Sequence, residues 1–396
     1  MLDEEVTDYK EKIQKTIDAL DGELRELALN IHAHPEISFE EFQAMEWLTD
    51  TLAKEGFEIE KGIAGLETAF IASWTHQKEG PTIAFLAEYD ALPRLGHGCG
   101  HNLIGTASVG AAIALKKAFP ELPGKLFVIG TPAEEEGGGK IIMANHGVFD
   151  AIDAVMMCHP RNQTVVLRGG LACVDAVVKF YGKESHASSA PEKGISALDA
   201  VINSFNAIHS LRAYLPREAK VNGIITKGGD ATNIVPGFCE AKFLMRAVDT
   251  IELNRVRDKV YRAIKGASES VGATCEVEEG LIYAERNNNE ELAELFRQNL
   301  VSMGIEVEPA EGGIGSSDIG NVGQVTATIH PYIKIGEADN HTPAFVEEAK
   351  SETGLKGMNQ AAKALAMTAF DLCTDQAAYR RVRSEYEQWK ARHSHE

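Results

Sequence analysis

The sequence predicts a layered α/β protein carrying a smaller, inserted α+β domain. Short apolar runs alternate with helical patterns through the first part of the chain. Near residue 171 the order changes to strand, helix, strand, strand, helix, strand. At 396 residues the chain exceeds what one hydrophobic core usually serves. The first pattern implies a mostly parallel central sheet flanked by helices. The second, β-α-β-β-α-β, is the ferredoxin-like order. It spans 170–284, which splits the larger domain into 1–169 and 285–396.

In chain order, residues 5–31 form an amphipathic helix, with Leu20, Leu24, Leu27 and Ile31 at helical spacing. Pro35 ends it. Ser38 with Glu41 has the spacing of a capping box for a second helix ending near Gly56. "TAFIASW" and "TIAFLAEY" read as buried strands. Residues 102–119, rich in alanine, read as a buried helix, and "KLFVIGT" and "AVMMCH" as further short strands. In the insertion, "ACVDAVVKFYG", "AKVNGIITKGG", "GFCEAKFLMRAV" and "TCEVEEGLIY" are the strands. "GISALDAVINSFNAIHSLRAYL" reads as a helix, and a second runs from Ile251 to about Val271. Afterwards come a helix at 289–303, a strand "VTATIHPYIKIG", helices beyond Pro343, and a polar tail in which His393 and His395 belong to a solvated chain end.

Lys and Arg number 39 against 59 Asp and Glu, a formal charge of −20. That field argues against nucleic acid and anionic membranes as general partners. "MLDEEVTDYKEK" is acidic and amphipathic, without the apolar stretch of a signal peptide, and no run is long enough to span a bilayer. The expectation is a cytoplasmic enzyme. The six cysteines are scattered without a CxxC pair, which speaks against a disulfide framework.

Four segments at the ends of expected strands carry metal-capable side chains: "YDALPRLGHGCGH", "GTPAEEEGGGK", "MMCHP" and "HTPAF". In open α/β sheets, sites form beyond the carboxyl ends of strands. Cys99 and His101 are two residues apart, so in an extended loop both can face one side. Thiolate, imidazole and carboxylate together suit Zn²⁺ or Mn²⁺, with Co²⁺ or Ni²⁺ as further candidates, better than Ca²⁺ or Mg²⁺. Adjacent acids in "AEEE" can divide the work, one binding metal and the other taking a proton from an activated water. Asp90 is either the acid that orients a ligand imidazole or a turn residue before "ALP". "GGIGSSDIGNV", with Gly315 and Ser316, is either a substrate loop or a flexible connection, and it lacks the P-loop lysine.

"AEYDALP…GHGCGHNL", "GTPAEEEGG", "CHP", "SHAS", "ATNIVPGFCEAKFLMRA" and "HTPAF", in this order over nearly the whole chain, resemble a metallopeptidase family. That family contains the aminoacylases, glutamate carboxypeptidase and hippurate hydrolase. The nearest subgroup holds the aminobenzoyl-glutamate hydrolase-like amidohydrolases and dipeptidases. The resemblance implies two divalent metal ions per subunit and hydrolysis of an amide beside a free carboxylate. It implies Cys99, His101, Glu135, His159 and His341 as ligands and Glu134 as general base. A slip of one residue would make the base and ligand Glu135 and Glu136. Tyr89 falls where other branches carry a histidine ligand, and His101 takes that duty. His97 is a hydrogen-bonding neighbour. His186 would reach the other subunit's active site from the inserted domain, so a homodimer through that domain is expected. Asn233 and Arg246 would bind the substrate carboxylate, for which the arginine fork is suited. Two other readings stay open: a hydrolase with Cys99 as nucleophile, and a non-catalytic protein on the same fold.

Overall fold

Thr82–Ala87, apolar along its length and buried on both faces, lies within a six-stranded sheet of order Glu58–Lys61, Phe70–Thr75, Lys125–Gly130, Thr82–Ala87, Ala154–Met156, Ala327–Ile329. The computed structural model that gives this topology describes residues 2–393 apart from 77, 311 and 314, with side chains from residue 8 onward. The three junctions from Lys125–Gly130 to Ala327–Ile329 are parallel and the other two antiparallel. The sheet is therefore mixed. Only six residues join Phe70–Thr75 to Thr82–Ala87, too few for a parallel crossover, so the chain reverses there.

The chain divides into two compact units, one holding residues up to 169, 287–313 and from 317 on, the other residues 170–286 with the short segment ending at 316. In the first, the helices Leu2–Ala33, His101–Ala118 and Glu352–Thr374 pack on one another. His101–Ala118 is buried almost throughout, because alanine, glycine and serine let neighbours approach its backbone closely. In the second, Thr274–Glu279, Ala172–Tyr181, Phe238–Ala247 and Lys220–Lys227 form an antiparallel sheet in that order. Helices Ala197–Leu211 and Thr250–Ser270 pack on it. Ser196 and Asp249 cap them by accepting from Asp199 N and Glu252 N.

Several local expectations are corrected. Ser38 and Glu41 do not form a capping box: the second helix is Phe42–Lys54, and neither side chain caps it. The Glu36 carboxylate accepts from Gln43 N and Ala44 N instead. "VTATIHPYIKIG" splits into Ala327–Ile329 and Tyr332–Lys334 at Pro331, which has no backbone donor to continue a ladder. The second piece pairs in parallel with His159–Arg161. The polar tail is a helix, Gln376–His393, with Ala378, Val382 and Tyr386 buried on one face. His393 is exposed on its last turn, and His395 lies outside the described residues. Among the described residues no helix is long and apolar enough to cross a membrane.

Candidate metal centre

Four chain segments meet in the first unit just beyond the carboxyl ends of its parallel strands. Thr82–Ala87 runs into Glu88, Tyr89 and Asp90, and the Gly-rich loop then leads into the helix His101–Ala118. Gly100, the residue before that helix, has a φ of +77°, and a Cβ there would lie 2.5 Å from Pro160 Cγ. Only glycine permits that turn and that approach together. The turn brings Cys99 and His101 into the interior, where both are buried.

The ligand-capable atoms converge. Those of Cys99, His101 and His159 lie within 4.8 Å of one another, as do those of Cys99, Glu135 and His341, and those of His101, Glu134 and Glu135. His159 Nδ1–H donates to Pro160 O at 2.7 Å, which leaves Nε2 with its lone pair facing Cys99 Sγ at 3.4 Å. His101 Nδ1–H donates to Asp90 Oδ1 at 2.9 Å, and the other Asp90 oxygen accepts from Glu135 N at 3.0 Å. Asp90 thus fixes one imidazole and the backbone of one acid simultaneously. His341 has a φ of +64° and a half-exposed ring, with Nε2 at 3.6 Å from Glu135 Oε2. Its backbone N–H donates to Gly98 O, which ties the C-terminal segment to the cysteine loop.

The electrostatics describe a pocket short of positive charge. Burial raises Glu135 to about 7, with Glu134 adding to the rise and His101 opposing it. Burial and Glu88 also raise Glu134. The Cys99 thiol is pushed well up, first by burial and then by Glu135. Burial works against the His101 imidazolium, but Asp90 and Glu88 outweigh it and hold its pKa high. Asp90 is likewise penalised by burial, yet His101 brings it down to about 2. Two buried atoms aimed into the cluster, His101 Nε2 and Glu135 Oε1, make no hydrogen bond, although His101 Nε2 lies within ion-pair range of the Glu88 carboxylate at 3.3 Å. Orphaned donor atoms of nitrogen and oxygen beside a thiol fit a divalent transition metal or zinc.

The structure also places residues that sequence reasoning missed. Glu88 Oε2 is 3.3 Å from His101 Nε2, and Glu88 Oε1 is 2.6 Å from the fully buried ammonium of Lys140. Lys140 also meets Asp318 Oδ1 at 2.8 Å. Burial lowers the Lys140 pKa, but Asp318 and Glu88 raise it more, so its charge is held. A signal existed for Glu88: it stands two residues before Asp90 at a strand end, so both face one side. Tyr89 faces the other side, where its hydroxyl donates to Thr68 O and its ring stacks on Phe70. It takes no place in the cluster. Glu136 is exposed and in no ligand-capable group. His97 is buried and bonds Ile31 O through Nε2, with burial lowering its pKa to about 3.

The second unit holds the remaining residues that the sequence singled out. His186 in the short strand Ser185–His186 pairs with Ile234, and Ala187 N donates to Asn233 O, so His186 and Asn233 are brought side by side. His186 Nδ1 accepts from Ser188 N and Ser189 N, each at 3.2 Å. With Nδ1 accepting, the neutral ring carries its proton on Nε2. Arg246, near the end of Phe238–Ala247, reaches Ser316 Oγ at 3.4 Å, and Ser316 Oγ–H donates to Leu171 O. Gly315 O accepts from Leu171 N.

The profile of peptidase family M20/M25/M40 matches residues 84–364. A Xaa-Arg dipeptidase of Mus musculus is 37% identical over 400 residues, covering 95% of this chain and 92% of its own. One of the chains of the p-aminobenzoyl-glutamate hydrolase of Escherichia coli (strain K12) is 35% identical, covering 67% of this chain and 59% of its own. The crystal structure of a putative aminohydrolase from methicillin-resistant Staphylococcus aureus superposes with a TM-score of 0.79 at 21% identity, covering 92% of this chain and all of that one.

Proposed function

We propose, from the premise that this chain belongs to peptidase family M20/M25/M40, that it is a two-metal dipeptidase whose preferred substrates end in a basic amino acid. The observation that carries the metal chemistry is that Cys99, His101, Glu134, Glu135, His159 and His341 form overlapping groups of ligand-capable atoms, linked through Cys99, His101 and Glu135. The substrate class is supported by the likeness to the mouse Xaa-Arg dipeptidase, which runs over nearly the full length of both chains.

In this reading Cys99, His101, Glu135, His159 and His341 would hold the two ions, and Asp90 orients His101. Bound divalent cations supply Lewis-acid polarisation of the scissile carbonyl and a water of lowered pKa. Glu134 would take a proton from the attacking water as the water oxygen bonds to the carbonyl carbon. The same carboxyl then delivers the proton to the amine nitrogen as the C–N bond breaks. His186, with its proton on Nε2, donates to the carbonyl oxygen as that atom gains charge. Arg246 and Asn233 bind the free carboxylate of the substrate, and Gly315 and Ser316 belong to the substrate loop. Ser316 also holds the Arg246 guanidinium in place.

The protein acts as a homodimer through the inserted, ferredoxin-like lid domain, the β-α-β-β-α-β run of the second unit. Lys220–Lys227 is the outer strand of its sheet, with Ile224 61% and Ile225 43% exposed. An apolar edge strand is a template for pairing with another copy. The cytoplasm is supported by six cysteines that are all unpaired.

The direct test is hydrolysis of Xaa-Arg and Xaa-Lys dipeptides, N-acetyl amino acids and aminobenzoyl-glutamate by protein loaded with Zn²⁺, Mn²⁺, Co²⁺ or Ni²⁺. Elemental analysis of the protein as purified accompanies it. Turnover highest on the basic dipeptides with about two ions per chain is expected, and turnover on none of them with any metal overturns the reading. A second test addresses the shared site. Glu134→Gln and His186→Ala are each expected to be inactive, but a hybrid dimer regains one site with both groups. Equal mixing after subunit exchange should return about a quarter of the wild-type activity. If the mixture stays inactive although exchange is demonstrated, His186 does not act across subunits.

A further inference from the structure

The turn that carries Glu134 and Glu135 is conformationally costly. Ala133, immediately before Glu134, has a φ of +60°, a left-handed conformation that disfavours any residue with a Cβ. Such a conformation persists only where the surroundings impose it. The surroundings that do so come from "EISFEE", residues 36–41, a stretch that the proposed chemistry does not use. Glu41 Oε1 accepts from Ala133 N at 2.9 Å, while Glu41 Oε2 accepts from Thr68 Oγ1–H at 2.9 Å. Ser38 Oγ accepts from Glu136 N at 3.2 Å and donates to Asp90 Oδ2 at 3.2 Å. The Phe39 ring lies where a Cβ on Gly137 would come within 2.3 Å of it.

We propose that residues 38–41 are a clamp that positions the catalytic turn, with Glu41 as its principal positioning residue; this rests on the assignment of Glu134 and Glu135 above. The competing explanation is that Glu41 serves the helix it precedes. Its side chain makes no capping hydrogen bond, and Glu36 fills that role. Glu41 is fully buried, with burial pushing its pKa to about 7, so its carboxylate sits there against its own solvation preference. A side chain needed only to fill space would be apolar. What the carboxyl oxygens do is accept hydrogen bonds from Thr68 and from Ala133, the residue whose backbone aims the base and a ligand. Ser38 holds the far end of the same turn and couples it to Asp90, which holds His101.

The test compares Glu41→Gln, Glu41→Ala and Ser38→Ala. Glutamine retains an oxygen for Ala133 N and an amide N–H for Thr68 Oγ1. It is expected to keep kcat within about threefold of wild type, while Glu41→Ala lowers kcat about 10- to 100-fold with KM changed by less than about threefold. Amide hydrogen exchange over 132–138, measured without substrate or added metal, should be faster in Glu41→Ala and unchanged in Glu41→Gln. Ser38→Ala, on a surface turn, should show a smaller change of the same kind and keeps the test available if Glu41→Ala does not fold. Wild-type exchange and kcat in a folded Glu41→Ala protein, or in Ser38→Ala where Glu41→Ala does not fold, overturn the clamp. So does a Glu41→Gln protein as impaired as Glu41→Ala. The exchange readout is independent of turnover, so failure of the dipeptidase reading and failure of the clamp are distinguishable.

Discussion

Glu134→Gln is expected to leave the bound metal unchanged and to reduce kcat by about 10³-fold, the middle of the range for loss of a positioned general base. Glutamine preserves the shape of the side chain and its backbone turn, but it cannot take a proton from water or return one to an amine. The surroundings support this division of work. Glu134 Oε2 stands 4.0 Å from His101 Nε2, and Glu135 Oε1 stands 3.9 Å from the same atom. Only Glu135 also shares a ligand-capable group with Cys99 and His341. The measurement is a pair: elemental analysis and steady-state kinetics on the same preparation. A variant that keeps its turnover removes Glu134 from the role, and one that loses its metal makes Glu134 a ligand. The corresponding Glu135→Gln variant should behave in the opposite order, losing metal first and activity as a consequence.

Much of this arrangement is legible in the sequence because the site is built from short segments at strand ends, and each segment carries its own chemistry. Cys99 and His101 announce themselves by type and spacing, and His159 by following a short apolar strand. The acids behind them are less visible. Glu88 has no distinctive neighbour, and its orientation depends on which face of an outgoing strand the cluster occupies. Lys140 and Asp318 are far apart in the chain and meet only through the packing of two short helices. Glu41 reads as half of a capping box, because spacing alone cannot tell which backbone N–H a carboxylate will accept from. The two antiparallel junctions of the sheet escape the sequence for a similar reason. Strand direction follows from linker length, and the six-residue link before Thr82 outweighs the apolar pattern of the strands it joins. The second unit is the easier part, since its element order is a local property of the chain and each of its two long helices begins with a capping side chain.

Chelation is expected to abolish activity by at least about 100-fold, with recovery on adding a divalent metal, whereas a thiol alkylator should leave the loaded protein active. The same experiment decides between a metal centre and a cysteine nucleophile. A nucleophilic cysteine needs a thiolate, and reactive thiols sit in electropositive, partly exposed surroundings. Cys99 has the opposite environment: it is buried, Glu135 and Glu134 both oppose its ionisation, and its sulfur lies 3.4 Å from His159 Nε2. A cation within reach reverses that balance, since it stabilises the thiolate and relieves the crowded carboxylates together. Binding should therefore show in stability as well as in rate. Metal at 100 times its dissociation constant adds about 2.7 kcal/mol to the folded state, which raises the melting temperature in a concentration-dependent way. Cys99→Ser should shift that concentration dependence upward, because a hydroxyl is the poorer ligand for these metals. Alkylation that silences the loaded enzyme, together with indifference to the chelator in both rate and melting temperature, would transfer the chemistry to Cys99 and leave Glu135, His159 and His341 without a function.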